Sequence, residues 1–192
     1  HLGLQHIRTD GGRTSLNTIS TYKDSQEIQL QNGFLRWRTH GSNNEVMCLK
    51  LAVYAIAKNE VKNVKKWYDS IKDGADGIFV TDTGSTDGTI ELLEALGVHV
   101  DKATVSPWRF DLARNLALMN VPEDYDMCLS LDLDEVMLPS WREELDKIYF
   151  EGLNVVRYPY VFSWEDEECT IPKISLYQFK IHSRKGYLWK YP

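Results

Sequence analysis

The chain has 192 residues, of which 43% are hydrophobic, and a formal net charge of −6. That size suffices for one domain with its own core, and the acidic balance argues against a nucleic-acid binder, which would carry a basic surplus. Its three cysteines, Cys48, Cys128 and Cys169, are too scattered for a disulfide framework or a structural zinc site, so we expect a reduced, cytoplasmic compartment. No apolar run reaches the roughly 18 residues that a membrane helix needs, so no membrane segment is expected in this chain.

Residues 1–46 form a polar N-terminal extension that differs in pattern from the rest of the chain. Its clearest feature is the alternation of apolar residues on both sides of Asn32-Gly33, in the segment EIQLQNGFLRWRT. An Asn-Gly pair favours a type I′ turn, so the pattern predicts a β-hairpin at the edge of a sheet. An arm without fixed structure is the alternative interpretation.

The sequence pattern of residues 47–192 predicts a second, larger domain in which strands alternate with helices. The predicted strands are apolar runs of strand length, and they lie in MCLKLAVYAIA, DGIFVTD, VHVDKATV and YDMCLSLDLDE. The predicted helices have apolar residues at helical spacing, and they lie in NEVKNVKKWYDSIKDG, STDGTIELLEALG and RFDLARNLALMNV. We expect Asn59 to cap the first helix, Ser85 or Thr86 to cap the second, and Gly97 to end the second.

The order of these elements predicts an α/β fold with a Rossmann-like, mostly parallel sheet flanked by helices. After Pro139, a short helix and segments rich in β-branched and aromatic residues predict a small antiparallel extension. In parallel sheets of this kind, ligands bind beyond the carboxyl ends of the strands. Polar clusters follow the predicted strands at such ends, with the sequences AKNE, TDTGSTDGT and DLDE. We therefore expect a binding site at that edge of the sheet.

Asp132 and Asp134 stand two residues apart in the DLDE cluster. On an extended strand their carboxylates would project to the same side, where a hard divalent cation such as Mn²⁺ or Mg²⁺ would relieve their repulsion. A solvated acidic loop is the alternative. In TDTGSTDGT, Asp82 can accept a hydrogen bond from a base or a ribose hydroxyl, whereas capping of the next helix is the alternative use of that loop.

Arg109 and Arg114 supply cations in the segment SPWRFDLARNLAL of this mainly acidic chain. A guanidinium at this place could bind a diphosphate. The alternative for Arg114 is an ion pair with Asp111, three residues earlier on the same helix.

The motifs KNE, VTDTGSTDGT, ARNLAL and LSLDLDE, in this order within residues 49–138, together resemble an inverting glycosyltransferase of family 2 with the GT-A fold. The resemblance implies a nucleotide-sugar donor, most often a UDP-sugar, a Mn²⁺ or Mg²⁺ ion, and a glycan or another acceptor with a hydroxyl group. It implies that Asp134 acts in catalysis as a metal ligand and that Asp132 contacts the ribose or the metal. It implies further donor-binding residues, namely Ala55, Ala57, Glu60, Asp82 at the base, Arg109, Arg114 and Leu133. Thr83 stands where the family often has a second aspartate, as in the subset that this chain resembles.

Inversion at the sugar needs a carboxylate that deprotonates the acceptor hydroxyl. The segment SWEDEEC offers Glu165, Asp166, Glu167 and Glu168, of which Asp166 is our candidate catalytic base, and a charged loop on the acceptor side is the alternative for this segment. In the resembling proteins a His-Glu pair commonly follows, so we expect the chain to be truncated at Pro192 with the base beyond it. The competing functions are a nucleotidyltransferase and a non-catalytic nucleotide-sugar-binding domain of a larger protein.

Overall fold

The computed structural model describes residues 2–4, 21–23, 26–28, 49–149, 153–166 and 171–190. Its strands are β1 (Leu2–Leu4), β2 (Thr21–Lys23), β3 (Gln26–Ile28), β4 (Leu51–Ala57), β5 (Gly77–Asp82), β6 (His99–Lys102), β7 (Met127–Ser130), β8 (Glu135–Val136), β9 (Val155–Trp164) and β10 (Pro172–Ser183). Its helices are α1 (Val61–Ile71), α2 (Thr89–Ala95), α3 (Phe110–Met119) and α4 (Trp141–Ile148). None of the helices within these ranges is long and apolar enough to cross a membrane. The turn predicted at Asn32-Gly33 lies outside the described residues; β3, which precedes it, pairs with β2.

Within the described residues, one half of the sheet consists of parallel strands in the order β7-β4-β5-β6. The sheet continues on the other side of β7 with β10, β9, β2 and β3, and each of these pairs is antiparallel. β1 pairs with β9 and with the short β8. The predicted parallel sheet with an antiparallel extension is confirmed. The extension is larger than expected, because β9 and β10 pair along most of their length.

Both faces of β4 and β7 are covered, which explains their continuous apolar sequences. On β4, Leu51 and Val53 pack into the core that α1 and α2 cover, whereas Ala52 and Tyr54 pack on the α3 side. All four side chains are fully buried. The helices therefore hold the strand ends in fixed positions, and the loops at the carboxyl edge are built on a rigid base.

The predicted N-caps of the first two helices are wrong. Asn59 has a left-handed backbone (φ 57°) and precedes the N-cap residue of α1. α2 begins after Gly88, which has φ 93°, so Ser85 and Thr86 lie in the loop before the helix. Gly97, with φ 81°, directly follows the C-cap of α2 and ends that helix as expected.

A chain of buried polar groups lies on the α3 side of the sheet. His182 of β10 is fully buried, and its Nε2 accepts a hydrogen bond of 2.8 Å from the hydroxyl of Tyr54. Its Nδ1–H donates to the carbonyl of Ser183 at 2.9 Å, which fixes the neutral tautomer. The Tyr54 oxygen in turn accepts from Nε1 of Trp189 at 2.6 Å, and the ring of Tyr187 stacks on the imidazole at 3.6 Å between centroids. Residues 187–189 are thereby fixed against the sheet, close to the carboxyl edge.

Candidate functional site

A cavity of about 240 Å³ opens beyond the carboxyl ends of β4, β5 and β7. Its walls include many of the residues expected from the sequence, namely Ala57, Glu60, Arg114, Asp132, Leu133 and Asp134. The walls also include residues that were not expected, namely Ile56, Lys58, Thr83, Trp108 and Phe110. The cavity therefore lies at the edge that the strand order predicts.

Asp132 is the centre of an ion-pair network at this cavity. Its Oδ2 lies 2.8 Å from Nη2 of Arg114 and 3.0 Å from Nζ of Lys180. Burial alone would raise the pKa of Asp132, but the charges of Lys180 and Arg114 outweigh burial and lower that pKa below its ordinary value. Asp132 is therefore a carboxylate at neutral pH, with its negative charge already shared by two cations.

Asp132 and Asp134 do not lie on one face of a strand, and that expectation is wrong. β7 ends at Ser130, and the chain then turns so that the N–H of Glu135 donates to the carbonyl of Asp132 at 2.9 Å. The Glu135 carboxylate accepts the N–H of Asp132 at 3.1 Å and closes the turn. Asp132 is consequently half-buried beside its cations, whereas Asp134 is exposed at the mouth of the cavity.

Glu135 is itself buried, with only 6% of its side chain exposed. Burial raises its pKa, and the Lys180 ammonium, 2.6 Å from Oε1, partly offsets the rise. Glu135 is therefore held between a backbone donor and a buried cation, in a position where it determines the shape of the turn.

Arg114 lies between two aromatic rings, with its guanidinium carbon 5.8 Å from the centroid of Phe110 and 5.2 Å from that of Trp189. Its partner is Asp132, so the alternative pair with Asp111 is wrong. Asp111 pairs instead with Arg109, at 2.5 Å between Nη2 and Oδ2. The Arg109 side chain is 53% exposed and does not line the cavity, which does not support the expected role in donor binding.

The loop between β5 and α2 caps α1, and this accounts for much of its polar composition. The N–H of Glu60 donates to the Thr89 hydroxyl at 2.8 Å, and the N–H of Val61 donates to the Asp87 carboxylate at 3.1 Å. The N–H of Asn59 likewise donates to the Ser85 hydroxyl at 2.8 Å. These side chains accept hydrogen bonds from the backbone N–H groups at the start of α1 and just before it. α1 follows β4, the strand next to β5 in the sheet. The sequence suggested Ser85 or Thr86 as the cap of α2, but Ser85 serves the start of α1, and Asp87 serves both helices because its Oδ1 also accepts the N–H of Thr89 at 3.1 Å.

Asp82 and Ala55 depart from their expected places. The Asp82 carboxylate is buried and accepts hydrogen bonds from the backbone N–H groups of Gly84 (2.8 Å) and Ser85 (2.9 Å) and from the Ser85 hydroxyl. Its acceptor capacity is thus used within the loop, whereas the adjacent Thr83 lines the cavity. Ala55 is 1% exposed and belongs to the core beneath the site.

Asp166 does not line the cavity, which does not support a role as the catalytic base. It follows β9, and its Oδ1 accepts the N–H of Ile171 at 2.6 Å, just before β10. One of its carboxylate oxygens is thus used at the connection between β9 and β10.

A metal ion would have few protein ligands at this site. Within the described ranges, no group of three or more His, Cys, Asp or Glu side chains could hold one. Asp134 is exposed and forms no ion pair with any residue described, whereas Asp132 is bound to two cations. Sites for Mg²⁺ and Mn²⁺ commonly use one or two carboxylates and complete their shell with water and substrate phosphates. The donor set fits such an ion, with Asp134 as the available ligand and Asp132 beside it.

Lys180 was not among the residues expected from the sequence, and Glu135 was expected only as part of the acidic DLDE cluster. The two side chains are both largely buried, and they are 45 residues apart in the sequence. The one local signal for Lys180 is its position between the apolar residues Phe179 and Ile181.

The model of glycosyl transferase family 2 matches residues 52–189. An uncharacterized glycosyltransferase from Rickettsia bellii is 30% identical over 115 residues, which are 60% of this chain and 37% of the relative. The chain thus spans well under half the length of the curated relatives that it matches.

Solved structures that match part of this chain include the mannosyltransferase PcManGT from Pyrobaculum calidifontis, in complex with GDP-Man and Mn²⁺. It is 21% identical, with a TM-score of 0.41 over 51% of this chain and 30% of that one. The glucosyl-3-phosphoglycerate synthase from Mycobacterium tuberculosis, in complex with Mn²⁺ and UDP-Glc, is 26% identical, with a TM-score of 0.39 over 45% of this chain and 33% of that one.

The family match extends from β4 to Trp189, so it includes the parallel strands, the turn with Asp132 and Asp134, and the hairpin of β9 and β10. The family match therefore rests on most of the chain and not only on its short motifs. It agrees with the mixed sheet and with the cavity at the carboxyl edge. This chain belongs to glycosyl transferase family 2.

Proposed function

We propose that this domain transfers a sugar, with inversion, from a nucleotide-diphosphate donor to a hydroxyl group of a glycan or another acceptor, in a reaction that depends on Mn²⁺ or Mg²⁺. The donor that we propose is a UDP-sugar. The observation that carries the proposal is the cavity in which Arg114, Asp132 and Asp134 meet at the carboxyl edge of the sheet. That edge is where α/β sheets of this type bind their ligands.

The cavity has charges of both signs, as a site for a diphosphate and a cation needs. Arg114 uses only Nη2 in its pair with Asp132, and its buried Nε has no hydrogen-bond partner among the described residues. The guanidinium therefore retains donors for a phosphate oxygen. Lys58 adds a second cation to the wall, next to the Glu60 carboxylate. We propose that these groups bind and orient the donor.

Asp134, with Asp132 beside it, would hold the metal ion together with phosphate oxygens of the donor. When bound, Mn²⁺ or Mg²⁺ supplies positive charge that stabilises the leaving diphosphate. The proposal assigns no catalytic base, because Asp166 does not line the cavity. A nucleotidyltransferase and a non-catalytic binding domain were the competing functions, and the family assignment favours neither.

The first experiment is a thermal shift panel with UDP, GDP, dTDP and CDP, each with and without Mn²⁺. A ligand at about 100 times its Kd adds about 2.7 kcal/mol to the free energy of unfolding, which corresponds to roughly 5–10 °C for a domain of this size. We expect the largest shift with UDP, and only in the presence of Mn²⁺. If GDP shifts the Tm instead, the donor proposal is wrong; if no nucleotide does, the whole proposed function is wrong.

Variants of the cavity then test the assigned residues. Asp134→Asn should remove the Mn²⁺-dependent part of the shift, because it neutralises the available metal ligand. Arg114→Ala should weaken nucleotide binding at least tenfold, whereas Arg109→Ala, which removes a cation from the same segment outside the cavity, should not change it. Equal effects of the two arginine variants would contradict the assignment of the cavity as the donor site.

A further inference from the structure

Lys180 reaches the cavity network from the antiparallel half of the sheet. It lies on β10, its side chain is only 12% exposed, and it does not line the cavity. Its Nζ lies 3.0 Å from Oδ2 of Asp132 and 2.6 Å from Oε1 of Glu135. A charge as buried as this one is costly unless it is paired, so these contacts are the reason that the ammonium is tolerated here.

The carboxylate of Asp132 is oriented by cations on two different elements. Arg114 on α3 donates to both of its oxygens, at 3.1 Å to Oδ1 and 2.8 Å to Oδ2. Lys180 on β10 donates to Oδ2 alone. With two donors from different directions, rotation of the carboxylate would break at least one charged hydrogen bond, whereas Arg114 alone would allow the carboxylate and guanidinium to rotate together.

We propose that Lys180 is a positioning residue for donor binding: it holds the Asp132 carboxylate, and through it the Arg114 guanidinium, in the orientation that receives the nucleotide and its metal ion. This inference rests on the proposed function of the cavity. A purely structural role is the alternative, in which Lys180 only neutralises the buried Glu135.

The two roles separate in a double variant. Lys180→Met removes the charge and keeps the length of the side chain, but it leaves Glu135 buried and unpaired, which lowers stability. Glu135→Gln in the same chain removes that unpaired charge, and the amide oxygen can still accept the N–H of Asp132. The double variant therefore restores the charge balance around residue 135 but still lacks the hydrogen bond from Lys180 to Asp132.

The experiment measures the Tm and the Kd for UDP with Mn²⁺, and for GDP with Mn²⁺, in the unmodified protein and the variants. We expect Lys180→Met to lower the Tm and to raise the Kd at least tenfold. The double variant should recover the Tm and keep the raised Kd. Lys173→Met, an exposed lysine at the other end of β10, is the matched control and should change neither.

Recovery of the Kd together with the Tm in the double variant would overturn the proposal, because it would show that Lys180 acts only through Glu135. An unchanged Kd in Lys180→Met would overturn it as well. If the unmodified protein binds neither nucleotide with Mn²⁺ or Mg²⁺, both the proposed function and this inference are wrong. If the unmodified protein binds a nucleotide but the variants give either result above, only the inference is wrong.

Discussion

Protonation of His182 should destabilise the fold as the pH falls below 6.5. Burial lowers its pKa from 6.5 to about 4, with a further small decrease from the charge of Arg184, against the raising effect of the hydrogen bond to Ser183. The unfolded chain therefore binds this proton at a higher pH than the folded chain does. The stability of the neutral form is fully present above pH 6.5 and is lost progressively between pH 6.5 and 4.

The expected loss follows from the difference between the two pKa values. At pH 5 it amounts to about 2 kcal/mol relative to pH 7.5, and it approaches about 3 kcal/mol below pH 4. The assay is urea unfolding at 25 °C at pH 7.5 and pH 5.0. His182→Gln lacks the titrating group, so the free energy of unfolding of this variant should fall by about 2 kcal/mol less than that of the unmodified protein.

A matched control is His99→Gln, because His99 is exposed at the start of β6 and, in the part of the chain that the structure describes, stacks on Phe79. It should keep the full pH dependence of the unmodified protein. If His182→Gln loses as much stability at pH 5.0 as the unmodified protein does, then the buried imidazole does not titrate as the structure indicates, and the argument from its burial is wrong.

Two further predictions concern the loop between β5 and α2, both measured by urea unfolding. Asp87→Ala should lower the free energy of unfolding, because it removes the acceptor for the N–H groups of Val61 and Thr89 and for the Thr89 hydroxyl. Asp101→Ala, at an exposed carboxylate on β6, should lower it far less; equal losses would mean that the cap contributes nothing. Gly88→Ala should cost roughly 1–2 kcal/mol, because residue 88 has φ 93° while the space around it is open; a neutral result would show that the loop relaxes to another backbone conformation.

The alternation of strands and helices was predictable because it depends on local patterns. β4 is apolar at every position since both of its faces are covered, and the spacing of Val64, Trp67 and Ile71 follows one face of α1. These patterns are imposed by burial within a few residues of each position. The edge that holds the cavity followed from the strand order alone.

The inner arrangement of the site was not predictable in the same way. The expectation for Asp132 and Asp134 assumed that β7 continues through them, but Glu135 closes a turn that depends on Lys180, distant in the sequence. Asp82 was expected to face a ligand, yet its own loop uses its oxygens. A local sequence pattern does not reveal that a side chain contacts a residue on a distant helix or strand.

The cytoplasmic location stays a prediction from the cysteine pattern. Within the described residues, Cys128 is buried and forms no disulfide, and burial raises its pKa to about 12. A thiol with so high a pKa is inert toward oxidants at neutral pH, since the thiolate is the reactive form. Cys128 is therefore a packing residue of β7.

The hydrogen bonds between residues 58–61 and 85–89 join two loops that follow neighbouring strands. Lys58 and Glu60 form part of the cavity wall, but Ser85 and Thr89 hold the backbone on which they stand. A substitution within residues 85–89 should therefore change the shape of the cavity even though no side chain that lines the cavity is replaced. Exchanging one loop for that of a relative should therefore fail to change donor selectivity unless both loops are exchanged together. Substitutions in the two loops should also covary among related sequences.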